Sequence, residues 1–160
     1  MFAEAGMENG VRLWLVLWKA YAAVREHAEH HIQRLGLGLS DFGVLEALLH
    51  KGPMPVNTIG SRIGLTSGSI TAAVDRLVDK RLVERRSDPA DRRARVVYLT
   101  DSGRDLISKA FSEHEAAMDL ATSGLSAAER AQAIELLKKL GFRAQALSAS
   151  RDGDAPEPRR

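Results

Sequence analysis

The chain contains no cysteine. A disulfide framework, a thiolate metal site and a thiol-based redox switch are therefore all excluded. Aromatic residues make up only 5% of the sequence, and three of them, Trp14, Trp18 and Tyr21, crowd into one stretch. Prolines fall only where helical patterns stop: at Pro53 and Pro55, at Pro89, and in the C-terminal tail. There is no long hydrophobic run. The apolar-rich segment from Val11 to Val24 is too short for a bilayer and is broken by Arg12 and Lys19. No membrane partner and no secretory signal are read, so the cytoplasm is the expected location. A Gly-rich phosphate loop, a nucleophile elbow and a His-Glu-x-x-His motif are also missing. Ser67-Gly68-Ser69 resembles part of a nucleophile loop, but no strand precedes it. The expectation is that the protein is not an enzyme and carries no cofactor.

What is present fits one globular domain: 160 residues, 44% hydrophobic and 28% charged. Residues 1–9 are expected to be frayed. From Gly10 to Arg34, Trp14, Leu17, Trp18, Tyr21, Ala28, Ile32 and Leu35 recur at helical spacing, with Lys19, Arg25, Glu26 and Glu29 on the other face. That aromatic stripe reads as core, as a helix–helix interface, or as the wall of a ligand pocket. Gly36 and Gly38 end the helix. Ser40 is placed to cap a second helix, Asp41 to His50, which turns Phe42, Leu45, Leu48 and Leu49 inward. Lys51 to Pro55 breaks the chain, Val56 to Ile63 forms a short third helix, and Gly64 supplies a turn. After residue 99, Thr100 caps a helix to about Ala121, and Ser126-Ala127-Ala128-Glu129 is a capping box for a last helix through Leu147. Residues 148–160 are expected to be a disordered tail.

The rest of the chain is arranged around residues 64–99. Thr66 is a good N-cap, and Ile70, Val74, Leu77 and Val78 follow at helical spacing to Lys80 and Arg81. Residues 82–86 and 95–99 are short β-prone runs on either side of a polar loop. The order of helix and hairpin predicts a mainly α fold with a small β-hairpin wing, a winged helix-turn-helix. The helix begins with the small hydroxyl residues Thr66, Ser67, Ser69 and Thr71, which permit close approach to a groove and leave backbone N–H groups for phosphate. Net charge is only +2, but residues 76–95 hold eight cations against four anions. Charge alone fits a solvated hairpin as well as a DNA-binding one.

The motifs are more specific. Glu84-Arg85-Arg86 leads into Asp88-Pro89-Ala90-Asp91-Arg92-Arg93, of the form D-x-x-D-x-R, and Leu99-Thr100 is followed by Gly103. With Phe42 to Leu48 and Val56 to Gly60, these residues resemble the DNA-binding core of the MarR family of bacterial transcription regulators. The resemblance implies dimerisation helices at 1–36 and 100–147 around a DNA-binding lobe at 37–99. It also implies a homodimer on a pseudo-palindromic operator of double-stranded DNA, most simply as a repressor. It places Ser67, Ser69, Thr71 and Arg76 toward the major groove, with Arg76 the strongest discriminator. Arg93 takes the position of a minor-groove arginine, Asp91 orients an arginine in the loop, and Arg92 and Arg95 meet phosphates. Family members that sense peroxide do so through a cysteine, which this chain lacks.

The resemblance further implies release by a small aromatic or phenolic acid. Trp14, Trp18 and Tyr21, with Arg25, His30 or His31 for a carboxylate, are the residues placed for such a pocket. Two alternatives stay open. His27 and His31 share a helix face and, with His114, offer a zinc-responsive site, although no strong local metal signature is present. A winged helix that binds protein is the other, and it would not need the arginine loop.

Overall fold

The computed structural model describes residues 9–87 and 95–152. The chain divides into two compact units, residues 1–121 and 122–160. The first unit holds α1 (Gly10–Arg34), α2 (Leu39–Lys51), β1 (Met54–Pro55), α3 (Val56–Ile63), α4 (Ser67–Asp79), β2 (Val83–Ser87), β3 (Arg95–Leu99) and α5 (Asp101–Ala121). The second holds α6 (Ala127–Asp152).

The core of the first unit lies where α2, α4 and the sheet meet. On α4, Ile70, Ala73, Val74 and Leu77 are buried, the three-to-four spacing that keeps one helix face inward. They pack with Phe42, Val44, Leu45 and Leu48 of α2, Ile59 of α3 and Ile107 of α5. At the α3–α4 crossing, a Cβ on Gly60 would lie 3.0 Å from Ile70 Cγ2, tight enough that Ile70 would have to shift by a few tenths of an ångström to admit it. Gly64 ends α3 at φ +69°, the left-handed conformation that the turn into α4 requires.

The strands form an antiparallel sheet in the order β1-β3-β2. Val83 pairs with Leu99 and Ser87 with Arg95, while Met54 and Pro55 pair with Val97 and Val96. Strand β1 was not expected. Its two residues carry no periodicity, and Pro55, which cannot donate to a ladder, is tolerated because β1 is an edge. Strand β2 starts one residue later than expected because Leu82 closes α4. Its N–H donates to Leu77 O at 2.9 Å, while Arg81, at φ +58°, donates to Val78 O at 2.8 Å.

Thr100 caps α5 as expected. Its Oγ1 accepts from Gly103 N at 3.0 Å and donates to Arg81 O at 2.8 Å. Ser40 does not cap α2. The helix begins two residues earlier, with Gly38 at the cap position and no side-chain cap, so the Ser40 hydroxyl is free to serve another partner. Ile32 of α1 is buried, while the large apolar residues from Val11 to Val24 are exposed, apart from the half-buried Leu17.

In the second unit the capping box forms: Ser126 N donates to Glu129 Oε2 at 2.8 Å and Glu129 N donates to Ser126 Oγ at 3.3 Å. Helix α6 continues to Asp152, past the expected end at Leu147, so the first residues assigned to the tail are helical. Residues 153–160 and 1–8 lie outside the described residues. Leu136, Leu137, Leu140, Phe142 and Leu147 of α6 are exposed.

Candidate nucleic-acid interface and an adjoining cavity

Helix α4 is the element best formed to enter a groove. Thr66 Oγ1 accepts from Ser69 N at 3.3 Å and donates to Ser69 Oγ at 2.9 Å, and Thr71 Oγ1 donates to Ser67 O at 2.9 Å. Ser67, Ser69 and Thr71 are all exposed. The opposite face of the helix is the buried Ile70–Leu77 stripe, so the hydroxyl face can only point outward.

The hairpin lies beside this helix. Arg85 Nη1 donates to Asp75 Oδ1 at 2.6 Å and ties β2 to α4. Arg86 pairs with Glu84 and lies over the Tyr98 ring, 4.7 Å from its centroid. Arg95 Nη1 donates to Ser87 Oγ at 3.2 Å across the ladder, and its side chain is exposed. Asp91, Arg92 and Arg93 lie outside the described residues.

Arg76 stands apart from the other residues expected to meet DNA. Its Nη2 donates to Asp41 Oδ1 at 2.7 Å and to Ser40 Oγ at 3.1 Å, and Lys80 Nζ donates to Asp41 Oδ2 at 3.3 Å. Asp41 is the one buried charged residue among the described residues, 3% exposed. In sequence, an Asp in the first turn of a helix reads as a favourable charge at the positive end of the dipole. Its partners lie 35 and 39 residues on, in α4 and at its C-cap, and no local pattern reveals that pairing.

A cavity of about 590 Å³ opens between α1, α2, α3 and α5. Its walls include Arg25 and Glu29 of α1, Ser40, Phe42 and Glu46 of α2, and His114 of α5. Arg25 Nε donates to Glu29 Oε1 at 2.6 Å. Of the residues expected to line a pocket, only Arg25 does so. Trp14, Trp18 and Tyr21 continue the Arg25–Ile32 stripe toward the N-terminus but are 61%, 59% and 59% exposed. The elements packed on α1 cover only the C-terminal end of that stripe. His30 is exposed, and His31 is half-buried and not among the lining residues.

The histidines divide in the same way. His31 Nδ1 and His114 Nδ1 approach to 3.4 Å, and the Phe42 ring meets His114 edge-on at 4.9 Å. His27 does not join them; its Nε2 is bonded to Ala117 O at 3.0 Å. Among the described residues no three His, Asp or Glu side chains are disposed to hold a metal ion, so the expected alternative set of His27, His31 and His114 is not assembled. Burial, and then the nearby His31 and His27, hold the His114 pKa below the usual histidine value.

A helix-turn-helix with an open, hydroxyl-lined recognition helix beside an arginine-bearing wing defines a DNA-binding regulator of the winged-helix class, and the comparisons agree. Residues 35–94 match the family model described as MarR family. The chain is 40% identical over 138 residues to the HTH-type transcriptional regulator MhqR of Bacillus subtilis (strain 168), covering 86% of this chain and 95% of that one. The chain belongs to the MarR family. In structure it is similar to BpsR of Bordetella bronchiseptica, whose DNA binding is regulated by 6-hydroxynicotinic acid, with 26% identity and TM-score 0.73 over 88% of this chain and 97% of that one. A mutant MarR from E. coli complexed with operator DNA shares the fold, with TM-score 0.73 and 24% identity over 81% of this chain and 94% of that one. These relatives are transcription regulators, not enzymes. Among the described residues no helix is long and apolar enough to cross a membrane.

Proposed function

We propose that the protein is an operator-binding homodimer, a repressor acting in the cytoplasm, that is released from DNA when a small aromatic acid enters the cavity. The hydroxyl face of α4 supports the DNA half of this reading. Ser67, Ser69 and Thr71 meet the major groove, and the wing residues Arg92, Arg93 and Arg95, with Asp91 orienting the loop, meet the minor groove and phosphates. The exposed apolar side chains of α1 and α6 are the surface a second copy covers, so that two recognition helices read an inverted repeat. Residues 1–36 and 100–147 are in this reading the dimerisation segments around the 37–99 lobe.

One observation carries the ligand half. The Phe42 and His114 rings and Arg25 line one cavity, and a flat ring bearing a carboxylate would bind there by taking Arg25 from Glu29. The similarity to BpsR, regulated by 6-hydroxynicotinic acid, supports the same ligand class. Binding of such an acid favours a dimer whose helices no longer match the half-site spacing.

Light scattering of the protein, followed by in vitro selection of duplex DNA and fluorescence anisotropy across a salt series, tests the reading. The expected result is a dimer that enriches a pseudo-palindrome and is weakened on it by at least one of a panel of aromatic acids that includes 6-hydroxynicotinic acid. A monomer, or a pool without enrichment, would refute the operator half. Enrichment with no response to any acid would refute the ligand half.

A further inference from the structure

The joint between α2 and α4 has a geometry that simple packing does not require. Asp41 uses both carboxylate oxygens, one on Arg76 at 2.7 Å and one on Lys80 at 3.3 Å. The two cations are one helical turn apart on α4. Apolar packing of the Ile70–Leu77 face seats α4, and a single polar contact would add little control over its tilt. Two contacts spaced along the axis fix the tilt of the helix as well as its position. The carboxylate is 4% exposed, while both cations are half-exposed, so the anchor is on α2 and the arms reach it from the recognition helix. On the hairpin side, Asp75 holds Arg85 at 2.6 Å. Arg76 Nη2 also donates to Ser40 Oγ at 3.1 Å, and Ser40 lines the cavity.

We propose that Asp41 is a positioning residue for DNA reading: with Ser40, Arg76 and Lys80 it holds α4 at its reading angle, and Ser40 makes that joint answerable to the cavity. Arg76 is then an internal strut, not the base-discriminating group that its place on the recognition helix suggests. An occupant that turns the Ser40 hydroxyl away from Arg76 and into the cavity withdraws an acceptor from Arg76 and loosens α4 at its C-terminal end. The inference rests on α4 being the recognition helix, and its test separates the two.

The duplex enriched by the wild-type protein and a scrambled duplex of equal length are titrated with wild type, Asp41→Asn, Arg76→Gln, the double variant and Ser40→Ala across a KCl series. Asp41→Asn is expected to weaken binding to the enriched duplex by about tenfold or more, a change of ~1.4 kcal/mol. Affinity for the scrambled duplex and the salt slope stay as in wild type, because no phosphate contact is lost. The double variant is no weaker than the worse single one, as expected of partners in one joint. Ser40→Ala removes one hydrogen bond from a half-buried site and is expected to give a smaller loss of the same kind. It keeps the test decisive should Asp41→Asn fail to fold.

An unchanged ratio of enriched to scrambled affinity in both Asp41→Asn and Ser40→Ala overturns the proposal. So does an Arg76→Gln variant that lowers the salt slope by about one and adds fully to Asp41→Asn, since Arg76 would then be a DNA contact. Failure of the wild type to enrich any sequence takes down the operator reading and this proposal together. Enrichment with unaltered variant ratios takes down this proposal alone.

Discussion

Gly103→Ala tests the way α5 docks on the turn that joins α4 to the wing. A Cβ at this position would lie 1.9 Å from the carbonyl oxygen of Leu82 and 2.8 Å from its carbonyl carbon. Both are backbone atoms, so no side chain can swing away. Relief requires α5 to lift from Leu82 by more than about 1 Å, given van der Waals separations near 3.5 Å. That movement breaks the hydrogen bond from Thr100 N to Leu82 O at 3.1 Å and the one from Thr100 Oγ1 to Arg81 O at 2.8 Å. Each is worth about 1 kcal/mol net, and overpacking adds ~1–3 kcal/mol. Replacing a helical glycine by alanine returns up to about 1 kcal/mol. The net expectation is a loss of ~2–4 kcal/mol, a large part of the ~5–15 kcal/mol typical of a domain.

Urea unfolding at fixed protein concentration is the assay, with Gly68→Ala as control, because a Cβ on Gly68 meets nothing within 4 Å. The control should be neutral or slightly stabilising. If Gly103→Ala matches it, the close approach of α5 to Leu82 is wrong. Since Gly103 closes the motif that begins at Leu99-Thr100, the result also shows whether that glycine is present for packing alone.

Three further outcomes follow from the geometry. Arg81 holds φ +58° where a helix end favours glycine, so Arg81→Gly should stabilise the fold by ~0.5–1 kcal/mol in the same assay, and a loss would show that its side chain contributes contacts worth more than the strain. His114 binds its proton less readily when folded than the ordinary histidine value of about 6.5 in the unfolded chain. Its contribution to stability is therefore complete above that value and declines as pH falls through it toward the lower folded pKa. Urea titrations at pH 7.5 and 5.5 should show wild type losing more than His114→Phe, and equal losses would remove His114 as the source. Arg93→Ala should weaken binding to enriched and scrambled duplexes alike and lower the salt slope by about one; an unchanged slope removes Arg93 from the contact set.

The helices and their order were legible in the sequence because their signals are local. Asn9 aside, the caps that form are those the residue types announce: Thr66, Thr100 and the Ser126–Glu129 box, with Gly64 at the left-handed turn. The Ile70–Leu77 spacing, by burying one face of α4, also determined that Ser67, Ser69 and Thr71 face outward. The wing motif named the family for the same reason, since it is contiguous in the chain.

What failed to read from sequence depends on partners far along the chain. The aromatic stripe of α1 was visible, but whether Trp14 or Arg25 would face a cavity depends on where α2 and α5 end, and periodicity does not carry that information. The spacing of His27 and His31 suggested a shared ligand, yet a carbonyl of α5 takes one and the ring of His114 the other. Strand β1 exists only because β3 offers it an edge. Arg76 looked like a reader of DNA because it lies on the recognition helix. Tertiary structure sets a buried carboxylate from α2 within 2.7 Å of it, a partner that no local pattern announces. Local chemistry chose the helices, their caps and the outward hydroxyl side of α4; the long-range pairing of Asp41 with Arg76 and Lys80 exists only once the chain has folded.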